Sequence, residues 1–166
     1  MNRSNALHTF LRLTLSLSLF MALSMGALAQ KGGKEMTKKD IQKMYMDYLK
    51  AEGYIPEIDE DGDVRFKREG KTYFISADST DLECFRLVLA NIWEIESEEE
   101  RDKVRLAMNV CNADAKVAKA YMVRDNVWVA IETFIAKPED FKAIFKRSIS
   151  ALDYGVSLYV TRMREE

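Results

Sequence analysis

Histidine is all but missing from this chain. His8 is the one imidazole in 166 residues, and it falls within an N-terminal stretch that has the features of a cleavable export signal. Without that stretch no imidazole remains. This excludes Ser-His-Asp and Cys-His catalysis, histidine general-base chemistry and His-ligated zinc, whatever the fold. Cysteine is scarce as well: Cys84 and Cys111 are the only two, too far apart in sequence for a Cys-x-x-Cys motif. Each sits in a hydrophobic segment, the usual setting of a buried free thiol. Export would permit a bridge between them, and the sequence leaves that pairing open because it does not give the Cα separation.

Other signatures are missing too. There is no P-loop, no G-x-G-x-x-G and no G-x-S-x-G. Basic charge is not in surplus: the first 29 residues carry Arg3, Arg12 and no acid, leaving 23 basic against 27 acidic residues and a net charge of −4. The basic residues are interspersed with acids, so the concentrated basic face that nucleic acid requires is lacking. A membrane-spanning run is lacking as well. The longest apolar stretch, Leu13 to Leu23, is diluted by Thr14, Ser16 and Ser18 and falls short of the roughly 20 residues a span needs.

What that stretch does fit is a secretory signal, with Arg3 and Arg12 before the apolar core and Ala27-Leu28-Ala29 as a small-x-small cleavage site. The expectation is a signal peptide over residues 1–29, Gln30 as the first mature residue, and a polar, flexible leader over residues 30–36. The protein is then exported, periplasmic or extracellular, with no integral span after cleavage. The absence of cysteine near the junction argues against a lipid anchor. The remaining 137 residues suit one domain, here 37–163. A chain of that length buries roughly two-thirds of its unfolded surface and needs no metal or disulfide to fold.

Thr37 and Asp40 form a capping-box pattern, and Ile41, Met44, Tyr45, Tyr48 and Leu49 recur on one helical face, ending at Gly53. Strands follow over Tyr54 to Glu60, Val64 to Arg68, Thr72 to Ala77 and Leu82 to Ile92. Asp61-Gly62 reads as a type I′ hairpin turn, and Pro56 marks the first strand as an edge. In the fourth strand Phe85, Leu87 and Leu89 share one face and Cys84, Arg86, Val88 and Ala90 the other, which predicts a central strand covered on both sides. Ser97 and Glu100 open a second helix as another capping box, running to about Asp114. Val117 to Val123 and Val127 to Phe134 form a hairpin, and Pro138 begins a last helix in which Gly155 is a candidate kink. The fold class is α+β: an antiparallel sheet with flanking helices in the order α-β-β-β-β-α-β-β-α.

The acidic run Asp59-Glu60-Asp61-Gly62-Asp63 has the glycine two places too early for an EF-hand, and Gly70 stands where the bidentate glutamate belongs. It reads as a solvated hairpin tip. Glu94, Glu96, Glu98, Glu99 and Glu100 are explained by the helix dipole rather than by a metal or an acid/base pair. Asn109 and Asn112 read as cap or turn formers. No catalytic, cofactor-binding or metal-binding residues are assigned, and no cofactor.

The run from Gly53 to Lys67 (G-Y-I-P-E-I-D-E-D-G-D-V-R-F-K) resembles the opening of the YbjN family of bacterial sensory transduction regulators, as do Met108-Asn109-Val110-Cys111-Asn112 and the following Lys119-Ala120-Tyr121. The resemblance covers about Thr37 to Met163. It implies a twisted antiparallel sheet with flanking helices, similar to type III secretion chaperones and often dimeric, with structural rather than catalytic motifs. The expected function is an exported, non-enzymatic module of the bacterial cell envelope, chaperone-like or regulatory, that binds another protein or peptide or pairs as a homodimer. The alternative is a periplasmic binder of a small apolar ligand, in a groove between sheet and helices lined by Trp93, Tyr121, Met122 and Trp128.

Overall fold

The computed structural model describes residues 36–165. The expected signal and the leader up to residue 35 lie outside these residues. Met36, placed in the leader on sequence, is half-buried against the core. Helix α1 spans Lys38–Ala51. The Thr37 hydroxyl accepts from the Asp40 amide at 3.2 Å, and the Asp40 carboxylate accepts from the Thr37 amide at 3.0 Å, so both halves of the capping box form. Gly53 follows the helix at φ +89°, a left-handed conformation that side-chain-bearing residues rarely adopt.

Six strands follow: β1 Glu57–Ile58, β2 Val64–Arg68, β3 Lys71–Ile75, β4 Cys84–Glu94, and, after helix α2 at Glu98–Asp114, β5 Ala118–Val123 and β6 Asn126–Phe134. A 3₁₀ turn at Pro138–Asp140 leads into helix α3, Phe141–Arg164. The strands form one sheet in the order β1-β2-β3-β4-β6-β5, and every neighbouring pair is antiparallel. The α+β class with an antiparallel sheet is therefore as the sequence indicates.

Alternation decides which side of the sheet is buried. Val64, Phe66, Tyr73, Ile75, Phe85, Leu87, Leu89, Val127, Val129 and Ile131 point to one face and join the core with Ile41, Tyr45, Leu49, Val104, Ala107 and Cys111 of α1 and α2. Aromatic contacts tie the layers: Tyr45 of α1 meets Phe85 of β4 and Phe141 of α3 edge-on, and Phe145 of α3 packs on Phe66 of β2. Among the described residues the opposite face carries no helix. The expectation that β4 is covered on both sides is thus corrected. Val88 and Ala130 are buried on the open face at 2% and 0% exposure, but they stand outside the main core cluster. The larger side chains of neighbouring strands shield them.

Three local expectations also change. Asp61-Gly62 is not a type I′ turn, because only Gly62 has positive φ. The Asp59 carboxylate accepts the amides of Asp61 and Asp63 at 3.1 and 2.8 Å and winds the segment into a five-residue loop. The two-residue left-handed turn is Glu69-Gly70, at φ +51° and +78°, between the paired residues Arg68 and Lys71. The first strand shrinks from Tyr54–Glu60 to Glu57–Ile58. Finally, α3 runs unbroken through Gly155. A Cβ there would stand 2.7 Å from the Ala118 Cβ, so this glycine permits close approach of α3 to β5 rather than a kink.

Candidate functional site: two unequal sheet edges and an uncovered face

The four residues expected to line one groove are divided by the sheet. Trp93 lies on the helix side, its ring 6.0 Å from that of Tyr159, and Met122 meets the Arg101 guanidinium of α2. Tyr121 and Trp128 are register partners on the open face, their rings 6.4 Å apart. Consecutive strand residues point to opposite sides, so Tyr121 and Met122 cannot line the same wall. No groove between sheet and helices joins all four.

On the open face a polar network roofs Val88 and Ala130. Arg86 donates to Glu132 at 3.0 Å and to the Tyr121 hydroxyl at 2.7 Å, while Lys119 pairs with the same Glu132. The hydrogen bond from Lys119, with help from Arg86, holds the Glu132 carboxyl below the usual carboxylate range. The Trp128 indole donates to Asn91 at 2.9 Å. Asn91 has φ +53° where β4 shifts register against β6.

The two edges of the sheet are finished differently. At the β5 edge, Asn112 of α2 uses its carboxamide as a strand would. Its oxygen accepts from the Ala120 amide at 2.7 Å, and its nitrogen donates to the Ala120 carbonyl at 3.1 Å. Asn112 is thus neither a cap nor a turn former. At the other edge, among the described residues, no side chain bonds the outward backbone of β1 in this way. Asp59 donates its amide to the Asp63 carbonyl at 2.9 Å. By the alternation of an antiparallel ladder, Glu57 is then hydrogen-bonded to Arg65, and the backbone groups of Ile58 point outward. The side chains of Ile55 and Ile58 are 84% and 49% exposed beside this edge. A recess of about 600 Å³ adjoins it, bordered by Tyr54, Ile55, Glu57 and Lys67.

Of the acidic residues singled out on sequence, Asp59, Asp63, Glu98 and Glu100 have carboxylates with local partners. Asp63 accepts from the Ala77 amide at 3.0 Å, and Lys38 of α1 donates to the Asp61 carbonyl at 2.8 Å. Glu100 accepts the Trp93 indole at 2.8 Å and the Glu96 amide at 2.7 Å. Those bonds pull its carboxyl below the ordinary range, the Glu96 amide acting most. Ser97 caps Glu100 at 3.1 Å, but the return bond goes to Glu96 instead of Ser97, so this capping box is only half made. Among the described residues no three His, Cys, Asp or Glu side chains converge as a metal site. Cys84 lies half-buried on the open face and Cys111 is buried on the helix side; both are free thiols. No described helix is long and apolar enough to cross a membrane.

No family model matches the chain, and no curated protein matches it. Solved structures do match, among them the crystal structure of an uncharacterized protein from Methanothermobacter thermautotrophicus. It is 14% identical with a TM-score of 0.52, and the likeness covers 75% of this chain and 96% of that one. At this identity the likeness concerns the fold alone. Nearly the whole archaeal chain takes part, so a similar α+β arrangement makes up almost all of that protein.

Proposed function

We propose that the domain is an exported, non-enzymatic protein-interaction module of the bacterial cell envelope, chaperone-like or regulatory in role and related in fold to the YbjN family and the type III secretion chaperones. The observation that carries the proposal is the contrast between the two edges. An unpaired strand edge invites another chain. Here Asn112 occupies the middle of the β5 edge at Ala120, while the β1 edge keeps outward backbone groups at Ile58 flanked by exposed isoleucines. Strand addition needs such an arrangement: main-chain hydrogen bonds supply affinity and flanking side chains supply selection. The occupant is an extended segment of an exported polypeptide; a second copy of the chain pairing β1 to β1 is the alternative. The roofed open face, with its charges already paired, suits contact with water better than contact with a partner.

Native mass spectrometry of protein purified from its own envelope tests this reading. A bound polypeptide or a dimer is the expected result. A bare monomer up to hundreds of micromolar, on the order of the weakest useful peptide affinities, contradicts it.

A further inference from the structure

The recess of about 600 Å³ beside β1 lies over an unfinished rung of the sheet. β1 begins at Glu57, opposite Arg65, while β2 runs on to Arg68. The next rung would set Ile55 against Lys67, but Ile55 lies outside the ladder with its side chain 84% exposed. Alternation fixes where the main chain of Lys67 points. Arg68 and Lys71 flank the two-residue turn as a hydrogen-bonded pair, so Phe66 turns its backbone groups to β3 and Lys67 turns its own to the β1 side. The bonding of Glu57 to Arg65, two residues earlier, gives the same phase. Among the described residues nothing takes the Lys67 amide or carbonyl there.

An occupant of this rung lies in line with β1, and β1 itself blocks the way at Glu57. An internal segment cannot pass, so the rung suits a chain end. Charge decides which end. Glu57, Arg65 and Lys67 are the charged residues lining the recess. Glu57 and Arg65 neutralise each other at 2.8 Å, and the acids further along, Glu69 and Asp153, are engaged by Arg68 and Lys71. Lys67 is exposed and, among the described residues, has no acid within ion-pairing distance. A terminal ammonium would be repelled there, whereas a terminal carboxylate complements it. A chain antiparallel to β2 brings its last residue opposite Lys67, the arrangement in which two residues exchange both main-chain bonds. The exposed Ile55 side chain adds an apolar wall.

We infer that this rung captures the C-terminus of a polypeptide. The terminal carboxylate accepts from the Lys67 amide and pairs with its ammonium, the last peptide N–H donates to the Lys67 carbonyl, and an apolar side chain near the end rests on Ile55. The site goes beyond the proposed strand edge. It does not use the outward groups of Ile58, so the two fail separately.

The test titrates the nitrogen-labelled exported chain with an N-acetylated pentapeptide of alternating valine and threonine that ends in a free carboxylate. The same peptide as its C-terminal amide, the amide with a free N-terminus, and acetate are compared with it through backbone amide shifts. The free acid should saturate with shifts centred on Ile55, Lys67 and Thr72, and bind at least about tenfold more tightly than the amide. Lys67→Gln should abolish that preference and Lys67→Glu reverse it, both with the wild-type melting temperature. Ile58→Pro, which strips the outer edge, should bind the free acid as the wild type does. Equal binding of acid and amide would overturn the assignment. So would tighter binding of the free N-terminus, acetate binding as tightly as the peptide, shifts centred elsewhere, or no saturable shift.

Discussion

Asn112 of α2 holds Ala120 of the edge strand β5 by two hydrogen bonds, accepting from its amide at 2.7 Å and donating to its carbonyl at 3.1 Å. The side-chain amide takes the place that a seventh strand would fill. Replacing it with Asn112→Ala strips both bonds and leaves two backbone groups bare at a half-buried edge. The expected cost is about 2 kcal/mol, read as a lower urea midpoint. The opened edge should also raise the apparent mass in light scattering as concentration increases. Unchanged stability and mass would show that the contact contributes nothing.

Gly155 allows α3 to lie against β5, since a Cβ would meet Ala118 at 2.7 Å. Gly155→Ala gains roughly 1 kcal/mol of helix propensity, but overpacking a filled site costs about 1–3 kcal/mol. We expect net destabilisation, and recovery of most of it in the double variant Gly155→Ala with Ala118→Gly. A double-mutant cycle measures that coupling; additive effects would contradict the close approach.

Burial raises Tyr45 and Tyr73 each to about 12, and for Tyr73 the hydrogen bond to Asp153 and its negative charge add to the effect. Folding thus favours the protonated phenols. Their contribution is complete below about pH 10, the ordinary tyrosine value, and is lost as pH rises through about 12. Glu132 works in the opposite direction: its lowered carboxyl stabilises the fold above the ordinary carboxylate range, and this is lost as pH falls through the folded value. Urea midpoints across pH should show a plateau at neutrality with both limbs falling. Glu132→Gln should make the acid limb shallower and leave the alkaline limb unchanged, the lowered Glu100 carboxyl remaining. A plateau extending undiminished past pH 12 would rule out the tyrosine account.

Cys84 and Cys111 sit on opposite sides of the sheet, free and unable to meet in the native fold. Burial raises both thiols, Cys84 also through the nearby Asp81, so neither is unusually reactive. A thiol reagent should modify Cys84 slowly in the native protein and both thiols after denaturation. Recovery of a chain with no free thiol would contradict this arrangement.

Much of the scaffold was legible because it rests on near neighbours in sequence. The Thr37–Asp40 box, the stop at Gly53 and the alternation of Val64 and Phe66 with Arg65 and Lys67 all declare themselves within a few residues. The grouping of Tyr121 with Met122 ignored a rule the sequence already supplies, the two-residue period of a strand. Other features depend on partners that only the fold brings close. Asn112 looks like a helix-end residue until β5 is placed beside α2, and Gly155 looks like a flaw in a helix until Ala118 faces it. The Asp61-Gly62 turn failed because the Asp59 side chain captured the backbone first. The recess beside Lys67 has no sequence signal, since it arises from where pairing between β1 and β2 stops.

Ile58 offers the most direct test of the open edge, because its amide faces away from β2 and its removal leaves the β1–β2 bonds intact. Proline is tolerated at an outward edge position and removes that donor together with the exposed Ile58 side chain, both of which belong to the proposed edge. Native mass spectrometry of the wild-type and Ile58→Pro proteins, each purified from the same envelope, compares them directly. The account predicts a bound polypeptide or second copy on the wild type and a bare, equally stable Ile58→Pro monomer. The same occupancy on both proteins would contradict it.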